Sequence, residues 1–498
     1  MNPLSRLFWK TLAVVLALVV VGALSAYLLL FRPVAEAKTN DLAEIFNHGS
    51  IGNEEAQGLP YWIWRVLPQV FPDLVPGNGD GYGNFGVYWR AGDAVPMGFS
   101  LTRLGIIDRV SPNCGFCHQG SYRLSPDQPR VFVSAGAGTR VDPQAYIRFL
   151  MTAGADPRFT SGRIMAEIAT LTDMPLIERL LYRFALVPAT RQALRAQGER
   201  FAWMASRPDW GPGRIDPFNP VKFQNLKLPD DGTIGNSDMM PLWNLKTLAA
   251  SNTRTYSLHW DGLQTDVHET VVSGAIGDGM SFKTYPRTND NLARMEDFAR
   301  VEAPPPSPFS PGAPIDSPFH VDAYAFAEGQ KIYRDNCAVC HAPDGARFRT
   351  PVPIVELGTD RHRIDMWSPA ARSRYAAYED DYAWNFTHFE KAEGYVAVGL
   401  EGLWLRAPYL HNGSVPSLRD LLKTPDARPK TFFRGSDLVD AENGGFVATN
   451  MPASPASPPV AASLYDTTLP GNANTGHLWG TDLSPQAKES LLAYLKTL

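Results

Sequence analysis

The 498-residue chain carries 44% hydrophobic and 19% charged residues, a globular balance with room for two or three cores. Its formal net charge of -5, with no long run of one sign, excludes a nucleic-acid partner as a working class. The 41 glycines and 42 prolines predict many loops between modest elements.

Residues 1–10 include Arg6 and Lys10 and read as a cytoplasmic N-terminus. Residues 11–31, "TLAVVLALVVVGALSAYLLLF", carry no charge and at 1.5 Å per residue cover about 30 Å, which predicts one transmembrane anchor. The remainder is then expected on the periplasmic side of the inner membrane. A signal peptide cleaved at "AEA", residues 35–37, is the alternative, and would release the chain into the periplasm.

From 40 to 302 the chain reads as an N-terminal domain. Within it "SPNCGFCHQG" (111–120) sets Cys114 and Cys117 three positions apart, with His118 directly behind. Helices are expected over 173–186, with Ile177, Leu180, Leu181 and Phe184 as a core-facing stripe, and over 188–206, with Ala193, Leu194, Phe201 and Met204. No run of period-2 strands and no solenoid repeat stands out. Residues 303–318, "APPPSPFSPGAPIDSP", hold seven prolines and read as a stiff linker.

Residues 319–498 form the expected C-terminal domain. A helix ending in "DNCAVCHAPDG" (335–345) repeats the pattern with Cys337, Cys340 and His341, which accounts for all 4 cysteines. Phe326, Gly329 and Tyr333 share one face of that helix. The closing helix has Ser484 as N-cap, Pro485 at its first position, and Leu491, Tyr494, Leu495 and Leu498 as its apolar stripe. Two helices crossing in this way resemble the mono-haem cytochrome c domain.

Cys-x-x-Cys-His is the pattern of covalent haem c attachment: two thioethers and an adjacent imidazole presented by one helical end. A four-cysteine zinc site is disfavoured by the distance between the pairs. A redox dithiol or a disulfide leaves both trailing histidines unexplained. Two haem c groups are therefore expected, with His118 and His341 as proximal iron ligands.

Further phrases resemble the di-haem cytochrome c peroxidase superfamily, and more closely its rubber-oxygenase-like branch. These are "GLPYWIWRVLPQVFPD" (58–73), "LHWDGLQTDVHETVVSGAIGDG" (258–279), "GTDRHRIDMW" (358–367), "GLEGLWLRAPYLHNGSVPSLRDLL" (399–422) and "NTGHLWG" (474–480). The resemblance implies a mainly α fold of two cytochrome c-like haem domains with long loops and insertions, following the transmembrane helix. It implies an oxidoreductase whose N-terminal haem reacts with peroxide or dioxygen while the C-terminal haem transfers electrons. It further implies His477 as second ligand of the C-terminal iron, ahead of Met451.

By the same resemblance His259 and Trp260 line the reactive haem or the space between the haems, the indole as electron relay. His268 and Glu269 are further candidates there. Arg361, His362 and Arg406 are candidate partners of haem propionates, and His411 of a propionate or the interdomain contact. A calcium ion between the haems is left open. The small aliphatic segment around Ile276 departs from the aromatic pocket of the rubber oxygenases, which leaves the substrate open. The expected partner is an electron-donor or acceptor protein: a cytochrome, a cupredoxin or a quinone-linked enzyme. The alternatives are a non-enzymatic di-haem carrier, with Met97, His259 or His268 completing the first iron, and a subunit of a membrane redox complex.

Overall fold

The computed structural model describes residues 3–30, 32, 39–78, 81–246, 255–377, 386–449 and 463–498. Met451 and the 35–37 segment lie outside these. Helices carry much of the chain, but the mainly α expectation is corrected by five small sheets among the described residues, all antiparallel. The largest joins Leu59–Pro60, Ile107–Pro112 and Phe99–Leu104, with Phe99 opposite Pro112 and Leu104 opposite Ile107. Strands of two to six residues are too short to write a period-2 pattern into the sequence.

The anchor expectation, and the localisation drawn from it, are also corrected. Among the described residues no helix is long and apolar enough to cross a membrane. The first helix, Pro3–Leu30, takes Arg6 and Lys10 into its own length.

The N-terminal half packs the helices Tyr61–Val70, Pro143–Ala155, Ser161–Ile168 and Val187–Arg200 around Trp64, Phe85, Phe99, Phe116 and Phe149. Of the stripe expected to face this core, Leu181 packs against it half-buried, but the rest faces outward: Ile177 is 72% exposed, Phe184 70%, and Leu180 is exposed too. There the helix Leu176–Leu181 runs into a π-helical turn, Tyr182–Leu186, which rotates Tyr182 and Leu186 inward in place of the stripe. Beyond it Leu194 and Met204 are buried, whereas Ala193 is exposed.

The C-terminal half is organised by the helices Ala323–Asn336 and Pro485–Leu495. They cross at Gly329, where an added Cβ would lie 1.9 Å from the Ser490 carbonyl oxygen; Tyr494 packs on Phe326 at 5.5 Å and on Tyr333 at 5.2 Å. The proline-rich segment is no free linker. Phe309 is buried against this half, and the Ser307 hydroxyl donates to the Lys496 carbonyl at 2.7 Å.

The halves interlock. Met366, Trp367 and Tyr375 leave the C-terminal half to share a core with Phe218, Val272 and Phe298 of the N-terminal half. Asp437, 2% exposed, receives the guanidiniums of Arg123 at 2.9 Å, Arg140 at 3.2 Å and Arg130. Burial pushes the Asp437 carboxyl up, but the three cations more than offset it and hold it below the usual range.

Two outcomes are expected. Gly329→Ala forces the crossing helices apart and costs about 2 kcal/mol or more, read as a lower thermal midpoint. Asp437→Asn removes the carboxylate from the buried cations Arg123 and Arg140 and from half-buried Arg130, and costs about 3 kcal/mol at neutral pH in urea unfolding. Because the folded-state value is depressed, the wild-type advantage is full above the ordinary carboxylate value of 3.8 and closes as pH falls through the lower folded-state value.

Candidate haem sites

Each Cys-x-x-Cys-His motif opens into its own cavity. The hairpin strand Ile107–Pro112 delivers Asn113, whose side chain accepts from the Gly115 amide at 2.9 Å and starts the short helix Cys114–Cys117. His118 follows at its end. The second motif continues from Ala323–Asn336 into the short helix Ala338–His341. No cysteine is in a disulfide, and the two pairs line separate cavities. Burial pushes the Cys114 thiol up to about 12 and Cys337 to about 11, the reverse of what a zinc site or reactive dithiol needs. Among the described residues no group of three or more His, Cys, Asp or Glu is placed to hold a metal ion.

Both proximal imidazoles are oriented alike. His118 Nδ1 donates to the Met240 carbonyl at 2.8 Å, and His341 Nδ1 to the Val398 carbonyl at 2.7 Å. This leaves each Nε2 with its lone pair, the arrangement that a metal-bound histidine requires. Burial also lowers both rings' proton affinity, His118 to about 4, which keeps them neutral.

In the C-terminal cavity His477 faces His341, with ring centroids 6.3 Å apart and planes at 44°. Metal–imidazole bonds run about 2.0–2.1 Å, and each nitrogen lies about 1.1 Å from its ring centre, so two rings sharing one metal have centroids about 6.3 Å apart. His477 Nδ1 is buried without a partner, and burial pushes its ring down to about 3. The residues therefore fit a haem iron held between two histidines.

The His477 loop is built for this placement. Gly476 takes φ 71°, where an added Cβ would lie 2.3 Å from the Gly358 backbone, and His477 itself takes φ 49°. Arg428, buried, donates to the carbonyls of Asn474 at 2.6 Å, Gly476 at 2.9 Å and His477 at 3.3 Å, and to those of Lys423 and Leu421. Sequence reasoning missed Arg428, and nothing in its local spacing marks it.

The N-terminal cavity is larger, with an empty volume of about 2220 Å³ against 1720 Å³, open mouths included. His118, His259 and Trp260 all line it. His259, at φ 60°, bonds through Nε2 to Gln264 Oε1 at 3.3 Å; since that oxygen only accepts, Nε2 carries the proton and Nδ1 is the acceptor. Burial lowers its proton affinity. Trp260 lines both cavities and donates to the Asp238 carbonyl at 2.8 Å, so its indole stands in the wall between them.

Other candidates are elsewhere. His268 is tied by both nitrogens, to Glu296 at 3.0 Å and Tyr285 at 3.1 Å, and Glu269 bonds Thr387 and His388. These two and Met97 line neither cavity. Arg361 pairs with Asp365 and His362 with Asp360, away from both. Arg406 does line the C-terminal cavity, as does His411, whose ring lies flat on Tyr395 at 3.7 Å. Also missed was the buried pair Arg363–Asp261, 2.9 Å apart, which puts an arginine in the N-terminal cavity.

Replacing His477 by Ala is expected to turn the C-terminal haem's electron paramagnetic resonance signal from low-spin to high-spin. Arg428→Gln should do so in part, and His268→Ala should leave the spectrum unchanged.

The chain is 32% identical over 225 residues to the uncharacterized protein y4iM of Sinorhizobium fredii (strain NBRC 101917 / NGR234), a match covering 37% of this chain and 51% of that protein. It is 37% identical over 113 residues to the uncharacterized protein y4iJ of the same organism, covering 21% of this chain and 18% of that one. The chain thus spans about half the length of the first relative and less of the second. Residues 394–433, which hold Val398, Arg406, His411 and Arg428, match the family described as RoxA-like, cytochrome c-like, a likeness that suggests a c-type cytochrome.

Proposed function

We propose that the chain is a di-haem c-type oxidoreductase, with a reactive haem at Cys114, Cys117 and His118 and an electron-transferring haem at Cys337, Cys340, His341 and His477. The observation that carries this reading is the inequality of the cavities. His341 faces a second imidazole at metal-sharing distance. Across the larger cavity, His259 has its Nε2 engaged by Gln264. A haem iron with an open axial position binds and activates peroxide or dioxygen, whereas one held by two protein ligands exchanges electrons.

The side chains have matching tasks. The Met240 and Val398 carbonyls fix the proximal rings, and His259 Nδ1 is a neutral acceptor able to take up a proton inside the larger cavity. The Trp260 indole gives electrons a short aromatic path through the wall. An external electron-donor or acceptor protein completes the cycle. A carrier reading remains in play through His259 alone, since it is the one of the three candidate sixth ligands that lines the cavity.

Carbon monoxide addition to the half-reduced and fully reduced protein separates the two. One haem binding the gas, with turnover of peroxide or dioxygen, is the expected result; no binding in either state leaves the carrier.

A further inference from the structure

The wall between the cavities is made of residues that line both: Asp238, Met239, Met240, Pro241, Trp260 and Arg349. Two of them are charged. Asp238 is neutralised by the Arg434 guanidinium at 2.6 Å. Arg349 has no such partner. Its guanidinium makes no hydrogen bond or ion pair among the described residues, and its Nε is buried and unsatisfied.

Its backbone is nonetheless held firmly. The Arg349 amide donates to the Ala397 carbonyl at 2.8 Å, its own carbonyl accepts from the Ser257 amide at 2.8 Å, and its φ is 53°. A side chain fixed at both backbone ends in a left-handed conformation is strained, and such strain persists where the surroundings impose it. Neighbouring charge relieves the cation only in part. Arg406, on which Arg349 acts as a like charge, donates to the Gly399 and Glu401 carbonyls, and Glu401 is the single carboxylate whose field reaches both arginines. Burial pushes Arg349 down to about 10, as expected of a cation short of counter-charge.

A guanidinium without an ion-pair partner, its Nε shut away from solvent, calls for an anion that enters from the cavities. Resting on the two-haem reading above, we infer that Arg349 is a positioning residue whose guanidinium binds a propionate of each haem across the wall. The planar fork presents five N–H donors on more than one edge, so it can serve two carboxylates at once, which a lysine ammonium cannot do in the same geometry. The signal in the sequence was slight: an arginine a few residues behind the second motif, with nothing to show that the fold turns it toward the first haem as well.

The consequence is electrostatic. Reduction adds a negative charge to a haem, and a fixed cation beside its propionate favours that state. One guanidinium shared by both haems therefore raises both reduction potentials together.

The test is spectroelectrochemical titration of the full chain carrying Arg349→Gln or Arg349→Lys, beside wild type and the exposed control Arg179→Gln, with haems counted by pyridine haemochrome. Arg349→Gln is expected to lower the midpoints of both haems, each by about tenfold in the reduction equilibrium, or about 59 mV for one electron. Arg349→Lys should lower both by less, and the control should leave them in place. A shift confined to one haem, or to neither, overturns the bridging role. Should Arg349→Gln fail to load haem, the lysine variant decides: at least a twofold shift at both haems supports the inference, and an unmoved haem refutes it. A wild-type count of one haem per chain defeats the two-haem reading, whereas two haems with unmoved potentials defeat only the role given to Arg349.

Discussion

A backbone carbonyl behind each proximal imidazole is the constraint on which the rest of the structure turns. Cys-x-x-Cys-His brings a histidine to a cofactor, but an imidazole can rotate and can carry its proton on either nitrogen. The Met240 and Val398 carbonyls remove both freedoms. Neither belongs to its motif. Met240 lies 122 positions beyond His118, and Val398 57 beyond His341. The chain must therefore be folded over long loops before either histidine is correctly set.

That requirement explains the interlocked halves. Met240 sits in the segment that forms the wall between the cavities, and the same segment is fixed by Arg434 on Asp238 and by the Asp238 amide bonded to the His411 carbonyl at 2.8 Å. Arg434 and His411 come from the C-terminal half. So the C-terminal half helps to hold the carbonyl that orients the N-terminal histidine. The Asp437 cluster and the shared core around Trp367 keep this arrangement rigid. Unequal cavities on either side of a common wall then suit one reactive and one electron-transferring centre.

The parts of the site legible in the sequence were those whose chemistry is local. Both cysteine pairs with their histidines, the Gly329 crossing and the Ser484 cap are set by residues within a turn or two of one another. His477, Trp260 and Arg406 were found through resemblance, and each lines a cavity. Arg361 and His362 came from the same kind of phrase yet sit on local carboxylates, because a family-like segment does not say which way a long cationic side chain turns. The outward stripe at Ile177 and Phe184 failed for a different reason. Helical periodicity shows that a face is apolar, but a single π-turn is enough to redirect it.

By itself, the sequence determined where the proposed attachment chemistry would lie, because thioether formation and an adjacent imidazole need only a short run of covalently linked residues. It also determined the paired terminal helices, whose caps and stripes are written locally. The tertiary structure alone decided which carbonyls orient the histidines, that Arg428 holds the His477 loop, and that Arg349 faces two cavities with no ion-pair partner. Those are meetings between residues far apart along the chain, and no local pattern of side chains records the distance or direction at which distant backbone segments come to rest.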